Sequence, residues 1–220
     1  MTRKVNYLLG SAISVLLLFV LWTVLVLTVD RAPIGPSESI VGLAAFNRTV
    51  YDLLCPHTGW HLLSEVLGLL PLATAGGFAL LGAWQLIRRR SLRAVDPHLY
   101  LLAALYLAVA ACYLGFELWI INYRPVLTDG LLEASYPSSH TMLAICILGS
   151  AAVRFTARAD KLILRRIAAG AAVLTAVLIV VGRLLSGVHW PSDIIGGILL
   201  GVALTLFDCA ADRAIDNARR

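Results

Sequence analysis

Charged residues are scarce in this chain of 220 residues. Asp, Glu, Lys and Arg together make up 14% of the sequence, hydrophobic residues make up 60%, and the mean hydropathy is +0.85. Soluble domains typically carry about 25% charged residues, so this composition excludes a soluble globular protein. Long linkers, low-complexity segments and soluble repeats are also missing from the sequence. We therefore expect one membrane-embedded domain over residues 1–220.

Cysteine is equally sparse. Cys112, Cys146 and Cys209 lie inside apolar runs and Cys55 lies in a polar stretch, a spacing that matches neither a disulfide framework nor a metal motif. Acidic residues number 13 against 18 Lys and Arg, which gives a net charge of +5. The basic residues stand in short segments between apolar runs, as in the cytoplasmic loops of membrane proteins. We therefore expect no nucleic-acid partner.

What the sequence does contain is six apolar runs long enough to cross a membrane as helices. Basic clusters precede the first run and follow the second, the fourth and the sixth, so both termini are expected in the cytoplasm. The predicted fold is all-α and polytopic, with six transmembrane helices. A further segment, residues 41–54, is predicted to form a short amphipathic helix on the outer surface. The predicted spans are residues 7–29, 60–87, 98–121, 138–155, 167–185 and 191–207.

The stretch GRLLSGVHWPSD, residues 182–193, places Arg183, His189 and Asp193 at the mouth of an apolar segment. Ionisable residues are expensive in a membrane and are usually kept there for function. Pro191 favours the first turn of a helix, so a spacing of four predicts His189 and Asp193 on one helix face. The Asp193 carboxylate could then accept one ring N–H and leave the other ring nitrogen free.

The predicted topology brings Arg124 and the Ser138-Ser139-His140 cluster to the same outer layer. Two guanidinium groups suit a tetrahedral oxyanion such as phosphate, and a helix N-terminus adds backbone N–H donors for the same anion. Two histidines could complete a reaction, because one can attack phosphorus while the other protonates the departing oxygen.

Each of these residues also has a simpler interpretation. The arginines could lie at the membrane interface as anchors, and the serines could be ordinary helix caps. His189 and Asp193 could be metal ligands, although the arginines would repel a cation and no further ligand is placed to complete the shell. Other functions that remain open are a non-catalytic phosphate or lipid transporter and an intramembrane serine protease using Ser138 or Ser139.

Three motifs in order resemble the signature of the type-2 phosphatidic acid phosphatase superfamily, in its integral-membrane lipid phosphatase branch. They are Arg124-Pro125, then Pro137-Ser138-Ser139-His140, then Arg183 with His189 six residues on and Asp193 four further. The resemblance implies a lipid phosphatase, without metal or organic cofactor, whose site faces the extracytoplasmic side of the cell membrane. Implied substrates are undecaprenyl pyrophosphate, phosphatidylglycerol phosphate and phosphatidic acid. Phosphoryl transfer to an acceptor other than water stays open.

The resemblance also implies a role for each motif residue. His189 would be the nucleophile that forms a phosphohistidine, and Asp193 would orient it. His140 would be the general acid for the leaving group. The residues implied to hold the phosphate are Arg124, Ser138, Ser139 and Arg183.

Three positions depart from the family pattern, which has a lysine seven residues before Arg-Pro, a glycine before the histidine of the second motif and a serine before the arginine of the third. Here these positions hold Glu117, Ser139 and Gly182. The exchanges at Ser139 and Gly182 keep small residues. Glu117 replaces a cation with an anion, so we expect it either to orient Arg124 or Arg183 or to tune substrate choice, unless it is a buried structural carboxylate.

Overall fold

The computed structural model describes residues 3–54, 58–158 and 161–219, so Cys55 lies outside the described residues. Its regular structure is helical. Between α5 and α6 a π-helical turn, Ala144–Leu148, makes one continuous helix of the two. The helices are α1 (Arg3–Thr28), α2 (Ala44–Leu54), α3 (Thr58–Arg89), α4 (Pro97–Leu118), α5 (Ser139–Leu143), α6 (Gly149–Arg158), α7 (Leu162–Leu185) and α8 (Pro191–Ala218).

Within the described ranges, six helices are long and apolar enough to cross a membrane: α1, α3, α4, the continuous helix α5–α6, α7 and α8. Large apolar side chains such as Leu17, Leu69, Leu107 and Val173 are exposed along them. Exposed apolar surface of this extent is what contact with lipid requires. The predicted all-α fold with six candidate spans is confirmed.

The helix boundaries differ from the predicted spans where charged residues interrupt an apolar run. Helix α7 begins at Leu162 rather than at residue 167, and α8 continues to Ala218 rather than ending at residue 207. Arg and Lys are good helix formers, so a charge ends the apolar run without ending the helix. Conversely, α4 ends at Leu118 rather than at residue 121, and α2 begins at Ala44 rather than at residue 41.

Helix α8 is the central element of the bundle, with α1 packed along its length and α4 and α5 against its other sides. Gly197 allows the close approach of α5, and Gly196 allows that of Tyr136, which precedes α5. A first side-chain carbon at Gly197 would lie 2.7 Å from the carbonyl oxygen of Ser138, and one at Gly196 would lie 2.6 Å from the Tyr136 ring. These glycines therefore set the spacing between the N-termini of α5 and α8.

We call the end of the bundle where α1 begins and α8 ends the basic end. Basic residues lie there in or near the terminal turns of helices, namely Arg3, Lys4, Arg88, Arg89 and Arg213. The opposite end, where α7 ends and α5 and α8 begin, is called the site end.

A buried ion network lies toward the basic end. Arg154 of α6 is 2% exposed, and its two terminal nitrogens donate to the carboxylate of Asp208 on α8. Asp212, one turn further along α8, lies 3.5 Å from Arg154 Nε and 2.6 Å from His98 Nδ1. His98 Nε2 in turn lies 3.3 Å from Asp216. This mutual pairing explains how α8 carries acidic residues beyond its apolar run.

Candidate active site

His189 lies in the connection between α7 and α8 and is 2% exposed. Its Nδ1 lies 3.0 Å from the hydroxyl of Ser135, and that hydroxyl donates to Asp193 Oδ2 at 2.5 Å. Since the single hydroxyl proton goes to the carboxylate, the Ser135 oxygen accepts the N–H of His189. Ser135 therefore joins the histidine to the aspartate.

The prediction that His189 and Asp193 share one helix face is wrong. Helix α8 begins at Pro191, so His189 precedes it, and Asp193 is its third residue, where the carboxylate accepts the Trp190 N–H at 3.0 Å. A carboxylate at this position satisfies backbone donors that a helix start leaves free. The helix cap and the histidine relay therefore share one side chain.

The Asp193 carboxylate is fully buried and has further donors. Asn122 Nδ2 donates to Oδ1 at 3.0 Å, and the Ser192 hydroxyl does so at 3.3 Å. A buried carboxylate needs several such donors to remain ionised. The acceptor end of the relay is thus fixed from several sides.

This relay determines which ring nitrogen of His189 is available. With its proton on Nδ1, the imidazole keeps a lone pair on Nε2, and Nε2 is buried without a hydrogen-bond partner in the described part of the chain. Burial holds the pKa of His189 well below its ordinary value, and the positive charges of Arg124 and Arg183 lower it further. His189 is therefore neutral at neutral pH and carries a free lone pair.

Arg183, in the last turn of α7, is 0% exposed. Its Nη2 donates to Glu65 Oε1 on α3 at 2.7 Å. Its Nε and Nη1 are buried, and neither has a partner among the described residues. Because buried guanidinium donors are rarely left unsatisfied, these two nitrogens indicate a binding site for an anion.

The second motif lies at the start of α5. Ser138 is the N-cap, and its backbone N–H donates to the carbonyl oxygen of Asp193 at 2.9 Å, which ties α5 to α8. The Ser138 hydroxyl and His140 Nδ1 are both buried and unpartnered within the described ranges. His140 Nε2 faces Glu65 Oε2 at 3.6 Å, and Ser139 lines a cavity that reaches His189.

Arg124 is less enclosed than Arg183, with 16% of its side chain exposed. Its Nη1 lies 3.2 Å from Glu133 Oε2 and 3.5 Å from the Thr128 hydroxyl, both in the loop between α4 and α5. Its charge nevertheless acts on His189. The structure therefore brings Arg124 to the same site as His140, Arg183 and His189, held by its own loop.

Glu117 orients neither arginine in this structure, since Arg183 pairs with Glu65 and Arg124 with Glu133. It is exposed, so it is not a buried structural carboxylate. Its side chain lines the cavity that also contains Ser135, Ser139 and His189. Glu117 thus lies where a bound molecule could meet it.

The residues that contact motif side chains and that sequence reasoning missed include Ser135, Asn122 and Glu65. Glu65 meets Arg183 across 118 positions and Asn122 meets Asp193 across 71. Contacts between residues so far apart in the chain produce no recognisable motif in the sequence. Among the described residues, no group of three or more His, Cys, Asp or Glu side chains is arranged to hold a metal ion.

Comparison with known proteins supports the resemblance seen in the motifs. The model of the PAP2 superfamily matches residues 116–211, a segment that holds all three motifs. A solved structure described as the first transmembrane PAP2-type phosphatidylglycerolphosphate phosphatase from Bacillus subtilis is similar in fold, with 20% identity and a TM-score of 0.64. That match covers 93% of this chain and 96% of the other. No curated protein matches this sequence. The resemblance predicted from the motifs is confirmed, because the PAP2 superfamily model matches the segment that holds them and the chain shares its fold with a transmembrane PAP2-type protein.

Proposed function

We propose that this protein is a lipid phosphatase that removes a terminal phosphate from a lipid phosphate or pyrophosphate through a phosphohistidine at His189. The observation that carries the proposal is a set of buried polar atoms at the site end that have no partner among the described residues: Arg183 Nε and Nη1, the Ser138 hydroxyl, His140 Nδ1 and His189 Nε2. Such atoms are costly to bury unless a ligand satisfies them. A phosphate group offers acceptors to the donors and an electrophilic phosphorus to Nε2.

In the first step His189 Nε2 attacks phosphorus, and the bond between phosphorus and the leaving oxygen breaks. Ser135 and Asp193 stabilise the positive charge that develops on the imidazole, because the Nδ1 proton points along their relay. Protonated His140 donates its Nδ1 proton to the leaving oxygen. The products are the lipid alcohol, or the lipid monophosphate from a pyrophosphate, and phosphohistidine.

In the second step water attacks the phosphohistidine. His140, now neutral, accepts a proton from this water through Nδ1, the nitrogen–phosphorus bond breaks and inorganic phosphate leaves. Throughout both steps Arg124, Arg183, Ser138 and Ser139 hold the equatorial phosphate oxygens, where charge accumulates in the transition state. The net reaction consumes one water and needs no cofactor in this scheme.

A lipid substrate is supported by the cavity at His189. The cavity lies between α4, which contributes Cys112, Tyr113 and Phe116, and the segment of Ser135 and Ser139. Its lining is mixed polar and apolar, and α4 is one of the helices that can span the membrane. We propose that a phosphate headgroup approaches His189 from this side while its acyl or prenyl chains stay in the bilayer. We propose undecaprenyl pyrophosphate, phosphatidylglycerol phosphate and phosphatidic acid as candidates.

Glu117 is proposed to tune this choice of substrate. Its carboxylate is exposed on the α4 side of the same cavity. A negative charge there disfavours headgroups that carry a second anionic group near α4. The orientation of the bundle is also part of the proposal. The excess of Lys and Arg supports a cytoplasmic basic end, and we propose that the site end faces the extracytoplasmic side of the cell membrane.

The proposal can be tested with purified protein in detergent and EDTA, given a panel of lipid phosphates. The wild type is expected to release phosphate, whereas His189→Gln, which keeps a polar side chain beside Ser135, is expected to release none. Thermal unfolding of both proteins provides the control for folding. Unchanged release by His189→Gln would overturn the phosphohistidine mechanism.

The same panel separates the alternatives. Loss of wild-type activity in EDTA would indicate a metal-dependent mechanism instead. Formation of phosphoenzyme without phosphate release, relieved by an added alcohol acceptor, would indicate phosphoryl transfer. Binding of every lipid phosphate without turnover would indicate a transporter.

A further inference from the structure

Glu65 lies in the second turn of α3, outside the segment that the family model matches, and its carboxylate contacts two site residues at once. Oε1 accepts from Arg183 Nη2 at 2.7 Å, and Oε2 lies 3.6 Å from His140 Nε2. The carboxylate side chain is 44% exposed, while Arg183 is 0% exposed. The half-exposed carboxylate therefore bridges an arginine and a histidine that face inward.

The contact to Arg183 leaves the other guanidinium donors free for a ligand. Only Nη2 is taken by Glu65, and Nε and Nη1 stay unpartnered within the described ranges. An amide in place of the carboxylate could still accept the Nη2 hydrogen bond. The orientation of Arg183 thus depends on an acceptor at residue 65 more than on its charge.

The contact to His140 depends on charge. His140 must carry a proton on both ring nitrogens to act as an acid through Nδ1, and a carboxylate beside Nε2 stabilises that imidazolium. After Nδ1 has given up its proton, the carboxylate still favours the tautomer with its proton on Nε2. Nδ1 is then ready to accept a proton from water. One carboxylate in this position serves both half-reactions.

We propose that Glu65 is a positioning residue that keeps His140 competent as the general acid and then the general base, and that it does so independently of its contact to Arg183. This inference rests on the proposed phosphatase function. It adds a counterpart to the Ser135–Asp193 relay of His189, so that each histidine of the site has its own carboxylate on the ring nitrogen that faces away from the substrate.

The test compares leaving groups. The leaving oxygen of an alkyl lipid phosphate must be protonated as it departs. A nitrophenyl phosphate that carries an alkyl chain of the same length on its ring releases a nitrophenolate, which departs without protonation. Glu65→Gln is expected to lower kcat on the alkyl substrate by about 10- to 100-fold and on the nitrophenyl substrate by less than about threefold, with KM little changed on both. Equal losses on the two substrates, or no loss on either, would overturn the inference.

Glu133→Gln is the matched control, because Glu133 also contacts a site arginine but, within the part of the chain that the structure describes, no histidine. Any loss in this variant is expected to be equal on the two substrates, and a selective loss on the alkyl substrate would overturn the inference. Failure of the proposed function would look different. In that case wild type would hydrolyse neither substrate, or His189→Gln would hydrolyse both.

Discussion

The two ends of the helix bundle differ in how fully their buried arginines are paired with carboxylates. Toward the basic end, Arg154 donates twice to Asp208, and its third nitrogen lies 3.5 Å from Asp212. At the site end, Arg183 is just as buried but has one carboxylate partner, and two of its nitrogens have none among the described residues. Both arginines sit in helices that can span a membrane.

This difference assigns the buried charges of the basic end to stability and those of the site end to function. Charges that are buried together and paired hold helices in register, and removing one partner leaves the other uncompensated. Donors that are buried and unpaired reduce stability unless a ligand completes them. We therefore expect variants at the basic end to lose stability and variants at the site end to lose activity.

Among the variants that compare the two ends, the largest effect is expected from Arg183→Gln, which removes the Nη2 bond to Glu65 and two donors, Nε and Nη1, that have no partner among the described residues. We expect kcat/KM to fall by about 10³-fold, because such a group stabilises charge in the transition state. The unfolding temperature should change little. Phosphate release and thermal unfolding in detergent measure the two quantities.

Arg48→Gln is the matched control for this variant, since Arg48 is exposed and forms a surface pair with Asp52. Its activity should equal that of the wild type. A loss of stability without loss of activity in Arg183→Gln would mean that the two ends do not differ as described.

The converse variant is Arg154→Met. Breaking a buried pair is expected to cost about 3–5 kcal/mol of stability, while kcat of the protein that remains folded stays unchanged. Replacing Asp208 with Leu in the same chain should restore part of this loss, because the uncompensated carboxylate is then removed. Unfolding in increasing denaturant measures the stability, and a double variant less stable than the single one would contradict the prediction.

Ser135→Ala interrupts the relay between His189 and Asp193. We expect activity to fall by about 10- to 100-fold with the fold intact, because the tautomer of His189 is no longer fixed. A double variant with Asp193→Asn should lose little more than Asp193→Asn alone, since the two residues act as one unit. Fully additive losses would show that Ser135 and Asp193 act separately.

The neutral state of His189 predicts a pH dependence of stability. Because the pKa of His189 is lowered in the folded protein, the unfolded chain binds a proton that the folded protein does not, once the pH falls below about 6.5. Stability should therefore decrease on acidification, by up to about 1.4 kcal/mol per pH unit from this group. His189→Asn should lose less stability than wild type between about pH 7 and pH 5, and an equal loss would contradict the prediction.

The smallest effect is expected from Glu117→Lys, which should shift preference by a few-fold toward substrates with a second anionic group, such as a pyrophosphate over a monophosphate. Release from such pairs of lipids gives the ratio directly. Glu117→Gln should move the ratio in the same direction by less. Identical ratios in all three proteins would show that Glu117 has no part in substrate choice.

The fold and the motif residues could be predicted from the sequence because both depend on patterns within short segments of the chain. Apolar runs and basic clusters marked the six spans, and the three motifs supplied His140, Arg183 and His189. What sequence reasoning could not reach were contacts between distant positions. Ser135 as the link to Asp193, and Glu65 as the partner of Arg183, are set by packing of α3, α5, α7 and α8. The predicted helical pairing of His189 with Asp193 failed because Pro191 starts the helix two residues later.

The central claim is that the unpaired Nε2 of His189 becomes bonded to phosphorus, and rapid quenching with a phosphate-labelled lipid tests it most directly. We predict a phosphoenzyme that is stable in alkali and labile in acid, as expected for a phosphohistidine, with the label at His189 on peptide mapping. With a labelled nitrophenyl phosphate, whose leaving group needs no acid, His140→Ala should retain more of this label than wild type, because the second step lacks its base. Label on Ser135 or Ser138, or hydrolysis without any labelled protein, would contradict the account.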